Sequence, residues 1–156
     1  MGTFEGKLIG KGFSFAIIVS RFNDLVTKRL LDGALDCLQR HNVDKDNIDV
    51  YYVPGVWEVP CLANHIIKSR KKRYSAIICL GAVIRGQTPH FEYVASESAK
   101  GVSQVALAND SILAYGIVTA DSLEQALDRS GAKTGNKGYD AAQTALEMVN
   151  LFNEIK

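Results

Sequence analysis

The chain has 156 residues, 47% hydrophobic and 22% charged, the size and balance of one globular domain able to bury its own core. Its formal net charge of +1 leaves no overall field to draw in nucleic acid or an acidic membrane. No apolar run reaches membrane-spanning length, and the opening "MGTFEGKLIGKG" has neither a signal-peptide core nor the Ser or Thr of a myristoylation pattern.

The segments then alternate between two periodicities. "FSFAIIV" (13–19) is short, apolar and β-rich, and predicts a buried strand. A helix over about 24–41 puts Leu31, Ala34, Leu35 and Leu38 on one face, with Asn23 as its N-cap and Asn42 as its stop. "IDVYYV" (48–53) is a second strand, and "PG" (54–55) turns the chain. The next helix carries Val59, Leu62, Ala63, Ile66 and Ile67 as one stripe, with Pro60 tolerated in its first turn. "YSAIICLGAVI" (74–84) contains a third strand, and the helix after His90 lines up Val94, Val102 and Val105. "ILAYGIVT" (112–119) is a fourth strand. Ser122 to Gln125 reads as a capping box opening a short helix to Ser130. A final helix over about 139–154 buries Ala142, Ala145, Val149 and Phe152.

Four buried strands alternating with helices imply an α/β domain with a parallel sheet covered on both faces. "FEGKL" (4–8) is a candidate fifth strand, detached enough to pair outside its own sheet. Without repeats, linkers or low-complexity segments, residues 1–156 read as a single domain with 1–12 as an arm. Cys37, Cys61 and Cys79 are an odd count inside apolar segments, which predicts reduced core thiols in the cytosol.

Ligands of such sheets bind outside the carboxyl ends of the strands. That selects "SRFN" (20–23), "VPGVWEVP" (53–60), "GAVIRGQTPH" (81–90) and "TADS" (119–122). In the third, Gly86 permits a tight turn whose N–H groups converge, Thr88 adds a hydroxyl, and the following helix adds its dipole. Together they suit a phosphate, with His90 beside it as a proton-transfer group; the alternative is a plain turn with a surface histidine. Phe22 and Trp57 either stack on a planar ring or pack a core or interface. Glu58 either accepts hydroxyls of a polyol or is a carboxylate favoured at a helix start. "RSGAKTGNKG" (129–138) holds Arg129, Lys133 and Lys137, either as a cationic arm for a phosphorylated ligand or as a solvated connection.

Three further patterns carry less. "GAVIRGQT" has the glycine spacing of a P-loop, but Gln87 stands where the phosphate-binding lysine belongs. "KSRKKR" (68–73) sits at a helix end where cations suit the dipole, so a solvated terminus outweighs a nucleic-acid patch. Cys61 and His65 have the i, i+4 spacing of metal ligands but no second pair, which favours core packing.

The blocks "VSRFN", "VPGVWEVP", "LGAVIRGQTPHFEYVASESAKG", "GIVT" and "EQALDRSGAKTGNKGYDAA" cover nearly the whole chain. In this order they resemble the 6,7-dimethyl-8-ribityllumazine synthases of riboflavin biosynthesis. The resemblance implies a three-layer flavodoxin-like domain with a four-stranded parallel sheet, working in the cytoplasm with no metal or organic cofactor. It implies condensation of 5-amino-6-(D-ribitylamino)uracil with 3,4-dihydroxy-2-butanone 4-phosphate, releasing inorganic phosphate and water.

It also implies roles. Phe22 would stack on the pyrimidine; Trp57 and Glu58 would hold the ribityl chain. Gly86, Gln87 and Thr88 would bind the phosphate, and His90 would move protons. Val56, Ala82, Val83 and Ile84 would line the substrate cavity. Arg129 would pair with the phosphate and Lys137 would lie near the ligand's polar end, both from a neighbouring subunit, with Tyr115 closing the aromatic wall. The family forms pentamers, and the chain resembles its icosahedral shell-formers at "GAKTGNKG". Four positions depart from the family's usual residues: Trp57 for Phe, Val56 for Ala, Ala82 for Ser or Thr, and Tyr115 for Phe. The competing reading is a non-catalytic lumazine or flavin binder, or a shell-forming protein; against it, a pure binder needs neither His90 nor a phosphate clamp.

Overall fold

Strand β1 (Phe15–Ser20) forms where six successive residues can be buried on both faces, and all six are. Its odd and even side chains enter different cores, as the two-residue period of a strand requires. Phe15, Ile17 and Val19 join one core, and Ala16 and Ile18 the other. The computed structural model describes residues 1–131 and 135–156. In chain order the regular elements after β1 are α1 (Asp24–Arg40), β2 (Ile48–Val53), α2 (Val59–Ser69), β3 (Ala76–Ile84), α3 (His90–Asn109), β4 (Leu113–Ala120), α4 (Leu123–Arg129) and α5 (Lys137–Glu154).

All strand pairs are parallel, in the order β2-β1-β3-β4. Helices α1, α4 and α5 cover one face around Leu30, Leu38, Ile78, Leu80 and Leu146; α2 and α3 cover the other around Val59, Ala63, Cys79 and Val102. This is the parallel sheet covered on both faces expected from the alternation, and the three-layer flavodoxin-like domain that the resemblance implies. Full burial of one such aliphatic side chain contributes about 1.5–3 kcal/mol. The expectation of four buried strands holds for β1 and β3 only. The edge strands β2 and β4 are partly open, and Tyr52 and Tyr115 are exposed on them.

Several local expectations hold and several are corrected. Pro60 does sit in the first turn of α2, and Asn42 follows α1 in the left-handed region at φ 66°. Asn23 precedes α1 but does not cap it: its backbone is left-handed (φ 63°), and its Nδ2 donates to Ala82 O at 3.1 Å. Asparagine tolerates that conformation better than most residues, so its side chain is spent on tying the end of β1 to β3. The capping box at α4 is displaced by one residue. Ser122 Oγ accepts from Gln125 N at 3.2 Å, but Gln125 Oε1 accepts from Asp121 N at 2.9 Å rather than from Ser122. Cys37 and Cys79 are buried, and desolvation pushes their thiols up to about 11 and about 12. Cys61 is exposed, not a core thiol, as is His65 four residues on, because that side of α2 faces away from the sheet.

Residues 1–12 form no strand within this chain. They lie along α5: Asn150 Nδ2 donates to Ile9 O at 2.9 Å, Gly10 N donates to His41 O at 2.8 Å, and Gly6 packs against the Glu147 backbone with no room for a side chain.

Asn136 is the junction of the α1/α4/α5 layer. Its Oδ1 caps α5 by accepting from Gly138 N (2.8 Å) and Tyr139 N (3.0 Å). Its Nδ2 donates to Ser130 O (2.9 Å) and Arg29 O (3.0 Å). Gly138 lies flush on the Leu30 backbone, where a Cβ would collide with the carbonyl. No helix among the described residues is long and apolar enough to cross a membrane.

Candidate functional site

The order β2-β1-β3-β4 reverses direction between β1 and β3, which opens a crevice beyond the carboxyl ends of those strands. A cavity of about 650 Å³ occupies this place. Among the residues expected to bind substrate, Phe22, Val56, Trp57, Glu58, Ala82, Val83, Ile84 and His90 line it.

Backbone ties hold the lining in place. Arg21 N donates to Val53 O (2.9 Å) and Phe22 N to Pro54 O (3.0 Å), so the turns after β1 and β2 move together. Gly55 sits close beneath both side chains: a Cβ there would stand 3.2 Å from the Phe22 ring and from Glu58 Oε2, so each would have to shift slightly. Glu58 Oε2 accepts from Gly55 N at 3.0 Å, which fixes the carboxylate at the start of α2. The expected helix-start role of Glu58 and its position in the cavity therefore coexist. Gly81 lets Val56 and Ser20 approach β3; an added Cβ would meet them at 2.6 and 2.7 Å. Ser20 Oγ is fully buried there and has no hydrogen-bond partner among the described residues.

Three aromatic rings of the lining are left open. Phe22 is 70% exposed, Tyr93 64% and Trp57 58%. Large rings standing in a cavity while most of the core is closed are the signature of a surface meant to be covered. His90 is the first residue of α3, with Pro89 before it, and its ring makes no hydrogen bond among the described residues. Gly86, Gln87 and Thr88 lie in the exposed loop joining the lining residues Ile84 and His90. Their N–H groups donate to no described residue, and neither does the Thr88 hydroxyl. Uncommitted N–H groups leading into a helix N-terminus form the electrostatic environment of an anion site.

Tyr115, Arg129 and Lys137 are not brought into this cavity by their own chain. Tyr115 faces α3 from β4, its Oη 3.2 Å from Ser98 Oγ, and desolvation raises its pKa. Arg129 donates from Nη1 to Gln125 O at 3.2 Å, and Lys137 stands 3.8 Å from Asp140. Lys133 lies outside the described residues. Phe91, Tyr93 and Val94 also line the cavity and were not anticipated. The i+1, i+3 and i+4 positions after His90 could have flagged them, because the start of α3 faces the crevice.

Among the described residues, no three His, Cys, Asp or Glu side chains converge as metal ligands would. The cavity instead offers an apolar aromatic lining, one fixed carboxylate and one imidazole, next to a loop whose N–H groups donate to no described residue. That set suits a phosphorylated substrate reacting beside an aromatic ring system.

The comparisons agree in kind. A sequence model of the family described as 6,7-dimethyl-8-ribityllumazine synthase matches residues 12–153. Two proteins named 6,7-dimethyl-8-ribityllumazine synthase, from two strains of Clostridium kluyveri, are each 51% identical over 156 residues, covering 100% of both chains. The chain belongs to the 6,7-dimethyl-8-ribityllumazine synthase family.

Proposed function

We propose that this chain condenses 5-amino-6-(D-ribitylamino)uracil with 3,4-dihydroxy-2-butanone 4-phosphate to 6,7-dimethyl-8-ribityllumazine, releasing phosphate and water, as a step of riboflavin biosynthesis. The observation that carries this reading is one cavity in which open Phe22 and Trp57 rings, a fixed Glu58 and His90 adjoin a loop of uncommitted N–H groups.

In this reading the pyrimidine stacks on Phe22, with Trp57, Val56, Ala82, Val83 and Ile84 closing around it. Glu58 accepts hydrogen bonds from the ribityl hydroxyls. Gly86, Gln87 and Thr88 bind the phosphate at the start of α3. The 5-amino group attacks the ketone, the carbinolamine loses water to give an imine, phosphate leaves by elimination, and the ribityl-bearing nitrogen then closes the ring on the carbonyl so formed with loss of a second water. His90 takes and returns the protons, and Arg129 stabilises the departing dianion. These steps are proton transfers and charge stabilisation, which side chains supply without a metal or organic cofactor.

Arg129, Lys137 and Tyr115 act on the cavity of a neighbouring copy; their position outside the cavity of their own chain supports this. The working unit is then a pentamer, assembled further into an icosahedral shell, with residues 1–12 pairing with a neighbour's sheet. The reaction runs in the cytoplasm, a reading the free thiols support. Mixing the protein with both substrates and following the lumazine chromophore against an enzyme-free control tests the reaction. A rate equal to the control, with the assembly intact, would overturn it. Sedimentation tests the shell, and free pentamers alone would rule that part out.

A further inference from the structure

Arg85 is the first residue of the loop that leads to His90. Its backbone N donates to Ala120 O at 2.9 Å, continuing the β3–β4 pairing past the end of the sheet. Its side chain then reaches in three directions. Nε donates to Asp121 Oδ1 at 2.9 Å, Nη1 lies 3.4 Å from Glu92 Oε1, and the guanidinium sits 4.6 Å from the centre of the Phe91 ring. Asp121 lies between β4 and α4, Glu92 is in the first turn of α3, and Phe91 lines the cavity.

Residues 86–88 donate no hydrogen bond of their own to a described residue. The loop is therefore held by its two ends, and Arg85 ties one of them to the other and to the neighbouring strand. We infer that Arg85 is a positioning residue for the phosphate: a planar clip that keeps the Gly86–Thr88 N–H groups aimed at one point. The inference rests on the functional reading above, which gives that loop the phosphate. Arginine suits the task where lysine does not, because a rigid fork can hold two carboxylates and lie flat on a ring at once. Half-exposed ion pairs of this kind are individually weak. Their effect is on the order in a loop whose residues 86–88 donate no hydrogen bond to a described residue, and so on the affinity for whatever the loop binds.

A simple electrostatic role makes the opposite prediction for the clip's partners. If Arg85 acted only by its charge, Arg85→Lys would behave as wild type, and Asp121→Ala, which removes a carboxylate near a dianion, would tighten phosphate binding. A clip loosens in both cases. The test measures KM for each substrate, kcat, Tm and the competitive inhibition constant of inorganic phosphate, in full-length Arg85→Gln, Arg85→Lys and Asp121→Ala. KM for the butanone phosphate and the inhibition constant for phosphate are expected to rise together, roughly 5- to 30-fold for Arg85→Gln, the factor that about 1–2 kcal/mol represents. Asp121→Ala shifts them in the same direction, while KM for the ribitylaminouracil and Tm stay close to wild type. Unchanged phosphate constants in Arg85→Gln, or tighter phosphate binding in Asp121→Ala, overturn the clip with the functional reading intact. A wild-type protein that neither forms the lumazine nor binds phosphate removes the functional reading and this inference with it.

Discussion

The two ends of the sheet each carry a cavity, and the larger one is not the one equipped for chemistry. At the amino end a cleft of about 750 Å³ lies over Ile77 and Phe152 and is rimmed by Lys68, Arg70, Lys72 and Arg73. At the carboxyl end the cavity is about 650 Å³ and its walls carry no lysine or arginine. Cation count alone would put an anion at the amino end, opposite to the proposed function. Helix direction corrects this. Helices α2 and α3 both finish at the amino end, at Ser69 and Asn109, where each carries the equivalent of about half a negative charge. Asp49 adds a full one, 2.5 Å from Lys72. These charges offset about half of the four rim cations. At the carboxyl end the same helices begin, at Val59 and His90, and their N–H groups point outward. A neutral-looking wall with two helix starts is the better anion host.

The largest expected break in that comparison is at His90. His90→Ala should lower kcat about a hundredfold, at the low end of the usual range for a lost acid–base group. Product should still form faster than in the enzyme-free control, because orientation of the two substrates remains. Complete loss with both substrates still binding would show that proton transfer, not orientation, dominates. Phe22→Ala should raise KM for the ribitylaminouracil about tenfold, in line with about 1–1.5 kcal/mol for a stacked ring, and leave inhibition by inorganic phosphate unchanged. An equal loss for phosphate would mean that the two halves of the cavity are not separable.

Ser20→Ala sharpens the comparison from the side of stability. Its hydroxyl is buried with no partner among the described residues, and removing such a group should stabilise the fold by about 1 kcal/mol in thermal unfolding. A destabilised variant would mean that Ser20 Oγ is paired in solution. The smallest effect is expected at the amino end. Lys68→Gln and Arg73→Gln together should leave kcat and both KM values at the wild-type level. A loss matching that of His90→Ala would place function at the basic cleft and invert the comparison.

What the sequence made legible follows from locality. Strand and helix identities come from short-range periodicity, and Pro60 and Asn42 act within one turn of where they sit. The cavity lining was readable because the carboxyl-end rule is geometric and the unusual residues cluster at those ends. Long-range bonds were not readable. Asn23 looks like a cap until Ala82, far along the chain, is seen to take its side chain. Asn136 looks like part of a cationic connection until it is found joining three helices. Arg85 looks like a strand-end cation, and its partners Asp121 and Glu92 come from different elements. Cys61 was misjudged because apolar neighbours in sequence do not say which side of a helix faces the sheet. Tyr115, Arg129 and Lys137 are a separate case, since the resemblance puts their roles in another copy of the chain.

Asn136 also bears on how this region tolerates change. Ser130 and Asn136 are bridged in antiparallel fashion, and Asn136 is bolted to Arg29 as well. The two feet of the connection between α4 and α5 are therefore fixed to each other independently of what joins them. Chain length there is decoupled from the positions of Arg129 and Lys137, which flank the feet. A peptide grafted between residues 131 and 135 would leave the cationic pair in register.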